Sequence, residues 1–204
     1  YADSQILFHM AFDTVSNICG KGSLLAQTIR EVVPVKQNKI VSVLNMKIGG
    51  KYPPFIIAEA GMNHNGSLDI AFKLIDEAVN AGCPVIKFQT FTKGSRVSAK
   101  VKNANYAEKA EDLEENIYEM FDRLAMSFED QAKIFQYGRS KGIEVFSTPF
   151  DSDSVDFLES QHVKLYKIAS MDLVNLPLLQ YVARTMKPMI LSTGMSTLSN
   201  IEDA

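Results

Sequence analysis

Five short apolar runs in this chain each end in polar residues, and a stretch with helical spacing follows each run. The polar endings are Glu59, Lys87 to Thr90, Ser147 with Thr148, Lys167 to Ser170, and Ser192 to Gly194. Buried strands of parallel sheets appear in sequence as short apolar runs, and the carboxyl ends of such strands carry the chemistry in these folds. The pattern therefore predicts both a parallel α/β fold and the edge of the sheet at which function is concentrated.

The strands are predicted near residues 55–60, 84–90, 143–148, 164–169 and 188–193, with helices between them. Ser67 and Ser127 are predicted N-caps, Gly82 and Gly142 are predicted helix ends, and a final helix is predicted to begin at about Thr197. Pro177 is expected in the first turn of another helix. Residues 92–126 are too long for an ordinary connection, so they are predicted to form an active-site flap with a helix near 113–125.

Five strand–helix units fit either an open doubly wound sheet or the first part of a closed (β/α)8 TIM barrel. No Gly-x-Gly-x-x-Gly turn follows the first strand, and polar residues end every strand, which favours a barrel truncated after about five units. We therefore predict an incomplete barrel over residues 46–204, preceded by an extension of unknown role over residues 1–45. The absence of an initial Met adds to the expectation of a fragment.

Composition excludes several classes of function. The formal net charge is -3, so a nucleic acid or an anionic membrane surface is not an expected partner. Cys19 and Cys83 have neither metal-binding nor redox spacing. The sequence shows no membrane span and no signal peptide, and a cytoplasmic location is expected.

Lys87 and Lys167 each lie within an otherwise apolar strand, where an unpaired ammonium group is costly. Thr148, Ser170 and Ser192 place hydroxyl donors at three strand ends. Two cations and several hydroxyl donors at one edge of a sheet predict a site for a phosphate or a phospho-carboxylate. The alternatives are lysines that extend to solvent and hydroxyls that cap the following helices.

Glu59 closes the first strand and could bind sugar hydroxyls, pair with a lysine, or serve as an acid or base. His64, alone in a polar loop, is expected to be a hydrogen-bonded structural residue rather than a metal ligand. The acidic residues Asp151 and Asp153 are expected to act at the start of a helix. No metal site is predicted from the residues of this chain.

Five motifs together resemble the sialic acid synthase family, which makes N-acetylneuraminate and other nonulosonic acids. They are PPFIIAEAGMNHNG (53–66), IKFQT (86–90), STPFD (147–151), YKIAS (166–170) and LSTGM (191–195), and the resemblance covers about residues 46–204. It implies the amino-terminal part of a (β/α)8 barrel that works as a homodimer when complete. The implied reaction condenses phosphoenolpyruvate with N-acetylmannosamine or a related amino sugar, releases phosphate, and uses a divalent metal, Mn or Mg.

The resemblance also implies residue roles. Lys87, Thr148, Lys167, Ser170 and Ser192 would hold phosphoenolpyruvate, Gln89 would add a substrate contact, and Glu59 would lie by the sugar and the reacting centre, so that Glu59, Lys87 and Lys167 are the expected catalytic residues. The family's metal-binding histidines lie beyond the fifth strand and have no counterpart here, so the chain alone is expected to be inactive. Asp112 aligns with a sugar-contacting position, and the identity of the sugar stays open.

Two other functions remain open at this point. One is a different phosphoenolpyruvate-dependent aldol-type synthase whose acceptor is a sugar phosphate. The other is a non-catalytic assembly or binding module, because an incomplete barrel exposes strand edges.

Overall fold

A computed structural model of the protein describes residues 40–96 and 117–204. Seven strands occur there: β1 Val41–Val43, β2 Met46–Ile48, β3 Ile57–Gly61, β4 Val85–Thr90, β5 Glu144–Pro149, β6 Tyr166–Ile168 and β7 Met189–Leu191. The helices are α1 Leu68–Asn80, α2 Ile117–Leu124, α3 Phe128–Lys141, α4 Ser152–Ser160, α5 Leu176–Ala183 and α6 Leu198–Asp203, and a 3-10 turn spans Ser170–Asp172. The five predicted strands are confirmed as β3 to β7, with ends displaced by one or two residues.

Local sequence signals set the ends of the helices. The Ser67 hydroxyl accepts a hydrogen bond from the Ile70 amide at the start of α1, and the Ser127 hydroxyl does the same for the Asp130 amide at the start of α3. Thr197 caps α6 through a reciprocal arrangement with Asn200. These predicted starts are confirmed. The predicted flap helix is confirmed over α2, whereas residues 97–116, including Asp112, lie outside the described residues.

Strands β3 to β7 form one parallel sheet in chain order. A doubly wound sheet reverses its strand order at a switch point and carries helices on both faces. Here the buried apolar side chains of α1, α3, α4 and α5 join one cluster on a single face of the sheet, which we call the helix face. The fold is therefore an α/β fold with a parallel sheet that α1, α3, α4 and α5 cover on one side, the arrangement found in barrels.

The opposite face, which we call the inner face, begins with an apolar layer. Because side chains alternate along a strand, every second residue faces the same way. The layer consists of Ile57, Val85, Phe146 and Ile190 from four of the parallel strands, Leu165 directly before β6, and Val43, Ile48 and Phe55. The amino ends of the strands are therefore sealed by hydrophobic packing.

The antiparallel hairpin β1–β2 supplies Val43 and Ile48 to this layer. The hairpin is not predicted by the sequence analysis, and the expected domain boundary between residues 45 and 46 falls at its turn. Residues 1–39 lie outside the described residues. The hairpin packs with the sheet and so belongs to the same folded unit as β3 to β7. No helix within the described ranges is long and apolar enough to cross a bilayer.

Gly138 allows α3 to pack closely against β5. A Cβ atom at this position would overlap with Cγ2 of Val145, which is buried. We expect Gly138→Ala to lower the free energy of unfolding by about 1–3 kcal/mol because overpacking outweighs the gain of roughly 1 kcal/mol in helix propensity. Urea denaturation of the full-length protein measures the change. Gln136→Ala, at an exposed position of the same helix, is the control, and equal stability of the two variants would contradict the packing argument.

Candidate active site

The inner face changes from apolar to polar two residues beyond the apolar layer, toward the carboxyl ends of the strands. The residues two positions beyond the apolar layer are Glu59, Lys87, Thr148, Lys167 and Ser192, and we call them the polar layer. Strand pairing places Glu59 beside Lys87 and Gln89 beside Thr148. The fold thus gathers predicted residues at the carboxyl ends of five separate strands, with Ser192 directly after β7.

Lys87 is the most enclosed charge of the polar layer. Its Nζ lies 2.9 Å from Oε1 of Glu59, and its ammonium group donates a hydrogen bond of 3.4 Å to Oγ1 of Thr148. The Lys87 side chain is only 8% exposed, whereas that of Glu59 is 56% exposed. Burial excludes the alternative in which Lys87 extends to solvent. Pairing with a lysine, one of the three roles considered for Glu59, is present in this structure.

Lys167 is the second cation of the polar layer. Its ammonium group donates to the backbone carbonyl of Ile168 at 2.6 Å and to the hydroxyl of Ser192. Desolvation, with repulsion from Lys87 as a further cause, lowers the pKa of Lys167 from 10.5 to about 8, while Glu59 acts in the opposite direction. The two lysines are therefore close enough to interact, and the half-exposed carboxylate of Glu59 compensates them only in part.

Thr148, Ser170 and Ser192 do not cap the helices that follow their strands. Asp151 caps α4, Asn175 caps α5 and Thr197 caps α6. Ser170 begins the 3-10 turn after β6, and a Cβ atom on Gly194 would lie 3.6 Å from its Oγ, so the loop after β7 approaches Ser170 closely. Thr148, Ser170 and Ser192 thus lie at neighbouring strand ends, where their hydroxyls can serve a ligand.

Gln89 lies one alternation step beyond Lys87, at the outer rim of the inner face. Its Oε1 accepts a hydrogen bond of 2.6 Å from Nη1 of Arg96. A Cβ atom on Gly61 would lie 3.0 Å from Oε1 of Glu59 and 3.7 Å from Nε2 of Gln89, and Gly61 has a positive φ of 52°. The absence of a side chain at this position leaves room for the Glu59 carboxylate and the Gln89 amide beside each other.

Arg96 is a site residue that the sequence analysis missed. Its guanidinium group lies 4.0 Å from the centroid of the Phe150 ring, 4.1 Å from that of Phe121 and 5.3 Å from that of Phe91. We call this set the arginine cage. Phe91 and Phe150 directly follow Thr90 and Pro149, the paired last residues of β4 and β5, but no sequence signal places Arg96 beside them.

His64 and Asp151 have the structural roles expected of them. The buried His64 accepts a hydrogen bond at Nδ1 from the Gly66 amide at 3.0 Å, which holds the turn after β3. Oδ1 of Asp151 accepts from the Ser154 amide at 2.7 Å. Within residues 40–96 and 117–204, no three His, Cys, Asp or Glu side chains are grouped so that they could hold a metal ion.

Comparison with known proteins identifies the family. A family model described as the NeuB family matches residues 74–204. The chain belongs to the NeuB family. The matched range begins within α1 and includes β4 to β7, and therefore contains Lys87, Thr148, Lys167 and Ser192.

Two curated relatives of this NeuB-family chain have synthase names. The chain is 40% identical over 149 residues to the N,N'-diacetyllegionaminic acid synthase of Campylobacter jejuni. The aligned region covers 73% of this chain and 45% of that protein. It is 34% identical over 152 residues to the pseudaminic acid synthase of Helicobacter pylori, covering 74% of this chain and 45% of that protein. The chain thus spans about half the length of the curated relatives it matches.

A solved structure agrees with the fold of this NeuB-family chain. The N-acetylneuraminic acid synthetase of Leptospira borgpetersenii, determined in complex with citrate, matches with a TM-score of 0.69 and 33% sequence identity. The match covers 81% of this chain and 53% of that chain. The resemblance to sialic acid synthases noted in the sequence is confirmed by the family and by this neighbour.

Proposed function

We propose that the protein containing this chain condenses phosphoenolpyruvate with N-acetylmannosamine or a related amino sugar, forming a nonulosonic acid and releasing phosphate. The observation that carries the proposal is the pair of interacting lysines in the polar layer, Lys87 and Lys167, with hydroxyl donors around them. Membership of the NeuB family, together with relatives named as legionaminic and pseudaminic acid synthases, supports the same reaction.

Electrostatics favour a multiply charged anion at this position. Two ammonium groups that repel each other in a partly desolvated site gain the most from a ligand that carries negative charge at two places. Phosphoenolpyruvate has a phosphate and a carboxylate on adjacent parts of a small molecule. We propose that Lys87 and Lys167 bind these two groups, and that Thr148, Ser170 and Ser192 donate hydrogen bonds to their remaining oxygens.

In the proposed reaction, C3 of phosphoenolpyruvate attacks the aldehyde carbon of the open-chain sugar and forms the new C–C bond. Water then adds at C2, and phosphate leaves with cleavage of its C–O bond. The described residues contribute by fixing the enol phosphate so that one face of C3 is presented to the acceptor. Glu59, exposed beside Lys87, is proposed to bind a sugar hydroxyl or to hold a proton near the reacting centre.

The family resemblance implies a divalent metal, Mn or Mg, that would act as a Lewis acid on the aldehyde. The described residues contain no ligand set for it, and we propose that its ligands lie in other parts of the complete protein. We propose likewise that the five parallel strands are part of an eight-stranded barrel, that the complete protein is a homodimer, and that residues 1–204 alone do not turn over.

Phosphate release by the full-length protein tests the proposed reaction. Phosphoenolpyruvate labelled with ¹⁸O at the bridging oxygen is incubated with a divalent metal and either N-acetylmannosamine, its 6-phosphate or a diacetamido sugar. We expect phosphate that retains the label, formed only when an acceptor is present, and turnover with a free amino sugar. Release without an acceptor, or loss of the label, would contradict the proposed condensation, and a preference for the 6-phosphate would favour the sugar-phosphate alternative.

Glu59→Gln separates the binding of phosphoenolpyruvate from the later steps. Since the carboxylate of Glu59 competes with a bound anion for Lys87, we expect the variant to bind phosphoenolpyruvate as tightly as the wild type or more tightly. Turnover should fall by at least about tenfold because the hydrogen-bonding or proton-holding group beside the acceptor is lost. Calorimetry and phosphate release measure the two effects.

Glu144→Gln is the matched control for Glu59→Gln. Glu144 also pairs with a lysine, with Oε2 of Glu144 lying 2.7 Å from Nζ of Lys164, but it begins β5 at the amino ends of the strands. We expect no change in affinity or turnover in this control. Weaker phosphoenolpyruvate binding in Glu59→Gln would show that the carboxylate supports the anion site and would overturn the competition argument.

A further inference from the structure

Arg96 connects three separate parts of the chain at the rim of the site. It follows β4 by a short loop, and its guanidinium group lies between Phe121 of α2 and Phe150 directly after β5. Nη1 also lies 3.2 Å from Sδ of Met62, in the loop after β3. Burial lowers the pKa of Arg96 to about 10, which leaves it charged at neutral pH, and Asp172 is a nearby carboxylate that favours the charge.

The contact with Gln89 fixes the direction of a side-chain amide. A guanidinium group has N–H donors and no acceptor, so only the oxygen of the Gln89 amide can face it. The 2.6 Å bond from Nη1 to Oε1 therefore defines the amide orientation on chemical grounds. The opposite end, Nε2, lies near Gly61, where an added Cβ atom would be 3.7 Å from Nε2 and 3.0 Å from Oε1 of Glu59, so it is beside the polar layer.

We propose that Arg96 is a positioning residue that holds the Gln89 amide with its NH₂ group toward the site, so that Gln89 binds substrate as a hydrogen-bond donor. The substrate group that it contacts is then an acceptor oxygen, such as a carbonyl, a carboxylate or a hydroxyl lone pair. The aromatic rings hold the guanidinium plane in place, since rings on two sides restrict its rotation. The selectivity of Gln89 is thereby set by a residue that need not contact the substrate.

A purely structural role for Arg96 predicts different behaviour. In that case the cage would stabilise the loop after β4, and any loss of activity would follow a loss of stability. The proposed positioning role instead makes the effect of Arg96 depend on the presence of the amide at position 89. The quantity that distinguishes the two roles is therefore the difference between the effect of the double substitution at positions 96 and 89 and the sum of the two single effects.

The experiment combines Gln89→Glu and Arg96→Met, singly and together, in the full-length protein. Glutamate at position 89 can still accept from Arg96 but has no NH₂ group for the site. Methionine at position 96 fills the space between the rings and has no donor. Arg96→Lys is the conservative variant, and Arg139→Met, which changes an exposed arginine of α3, is the control.

Thermal unfolding tests the amide orientation independently of the reaction. We expect Gln89→Glu to lower the unfolding temperature by less in the presence of Arg96 than in the Arg96→Met background. The reason is that a carboxylate at position 89 is stabilised by the guanidinium group. Equal costs in the two backgrounds would overturn the proposed orientation. This part of the test stands even when the wild-type protein releases no phosphate, an outcome that would contradict only the proposed function.

Kinetics test the positioning role, and this part rests on the proposed function. We expect Gln89→Glu to lower kcat/KM roughly ten- to a hundredfold without a matching loss of stability, and Arg96→Met to do the same, while the double variant is no slower than Gln89→Glu alone. Arg96→Lys should recover part of the loss. Losses that multiply in the double variant, or no loss in Arg96→Met, would overturn the proposal.

Discussion

Replacing Lys87 with methionine is expected to weaken the binding of phosphoenolpyruvate by at least about a hundredfold, because an enclosed ammonium group paired with an anionic ligand is worth several kcal/mol. Methionine matches the lysine side chain as far as Cε and lacks the ammonium group with its charge and hydrogen bonds. The unfolding temperature should stay unchanged or rise, since a buried cation is exchanged for an apolar side chain and Glu59 stays half exposed to water. Loss of binding together with retained stability would identify Lys87 as a functional rather than a structural charge.

Calorimetric titration of phosphoenolpyruvate into the full-length protein measures the effect. Lys164→Met is the matched control, because Lys164 also pairs with a glutamate but is 64% exposed and precedes β6 at the opposite edge of the sheet. The control should bind like the wild type. Unchanged affinity in Lys87→Met would show that the lysine has a structural role, and the ligand would then have to be placed elsewhere on the inner face.

The strands and helix starts could be predicted because their signals are local. An apolar run of four or so residues is sufficient to define a buried strand, and a hydroxyl before an amphipathic stretch is sufficient to define an N-cap. The position of the site was predictable for a related reason. In parallel strands, residues such as Lys87 and Lys167 that end apolar runs meet at one edge of the sheet without any further information.

The hairpin β1–β2 was not predictable from such signals. Its turn residues Leu44 and Asn45 have φ values of 50° and 64°, which a two-residue hairpin turn of the favoured type requires. The usual signature of such a turn is Asn-Gly, and a leucine at positive φ gives no comparable signal. Here packing of Val43 and Ile48 under the sheet holds the turn, so tertiary contacts override local preference.

Arg96 was missed for a different physical reason. Its neighbours Gln89, Phe121 and Phe150 come from three separate parts of the chain and meet only after the sheet and α2 have formed. In the sequence, Arg96 belongs to a polar stretch typical of a solvated loop. Its roles depend on distances, which no local pattern contains. The same is true of the pairing of Glu59 with Lys87, which was one of several open alternatives.

The pH dependence of ligand binding is expected to depend on Lys167. Because the pKa of this lysine in the free protein is lowered to about 8, it is protonated below pH 8 and increasingly neutral above it. An anion binds the protonated form, so phosphoenolpyruvate affinity should fall by up to about tenfold per pH unit above pH 8. Binding near pH 8.5 to 9 should take up close to one proton, measured by calorimetry in buffers of different ionisation enthalpy, whereas binding at pH 7 should take up none.

Lys167→Met supplies the comparison that assigns this behaviour to one residue. In the folded wild type the lysine loses its proton near pH 8, while in the unfolded chain it keeps the proton up to about its usual pKa of 10.5. Between these values the unfolded state binds more protons, so Lys167 makes the wild type gain stability with rising pH relative to the variant. The variant should also bind phosphoenolpyruvate weakly and without proton uptake. Identical pH slopes of stability in the two proteins would contradict the lowered pKa, and retained proton uptake in the variant would assign the titration to another group.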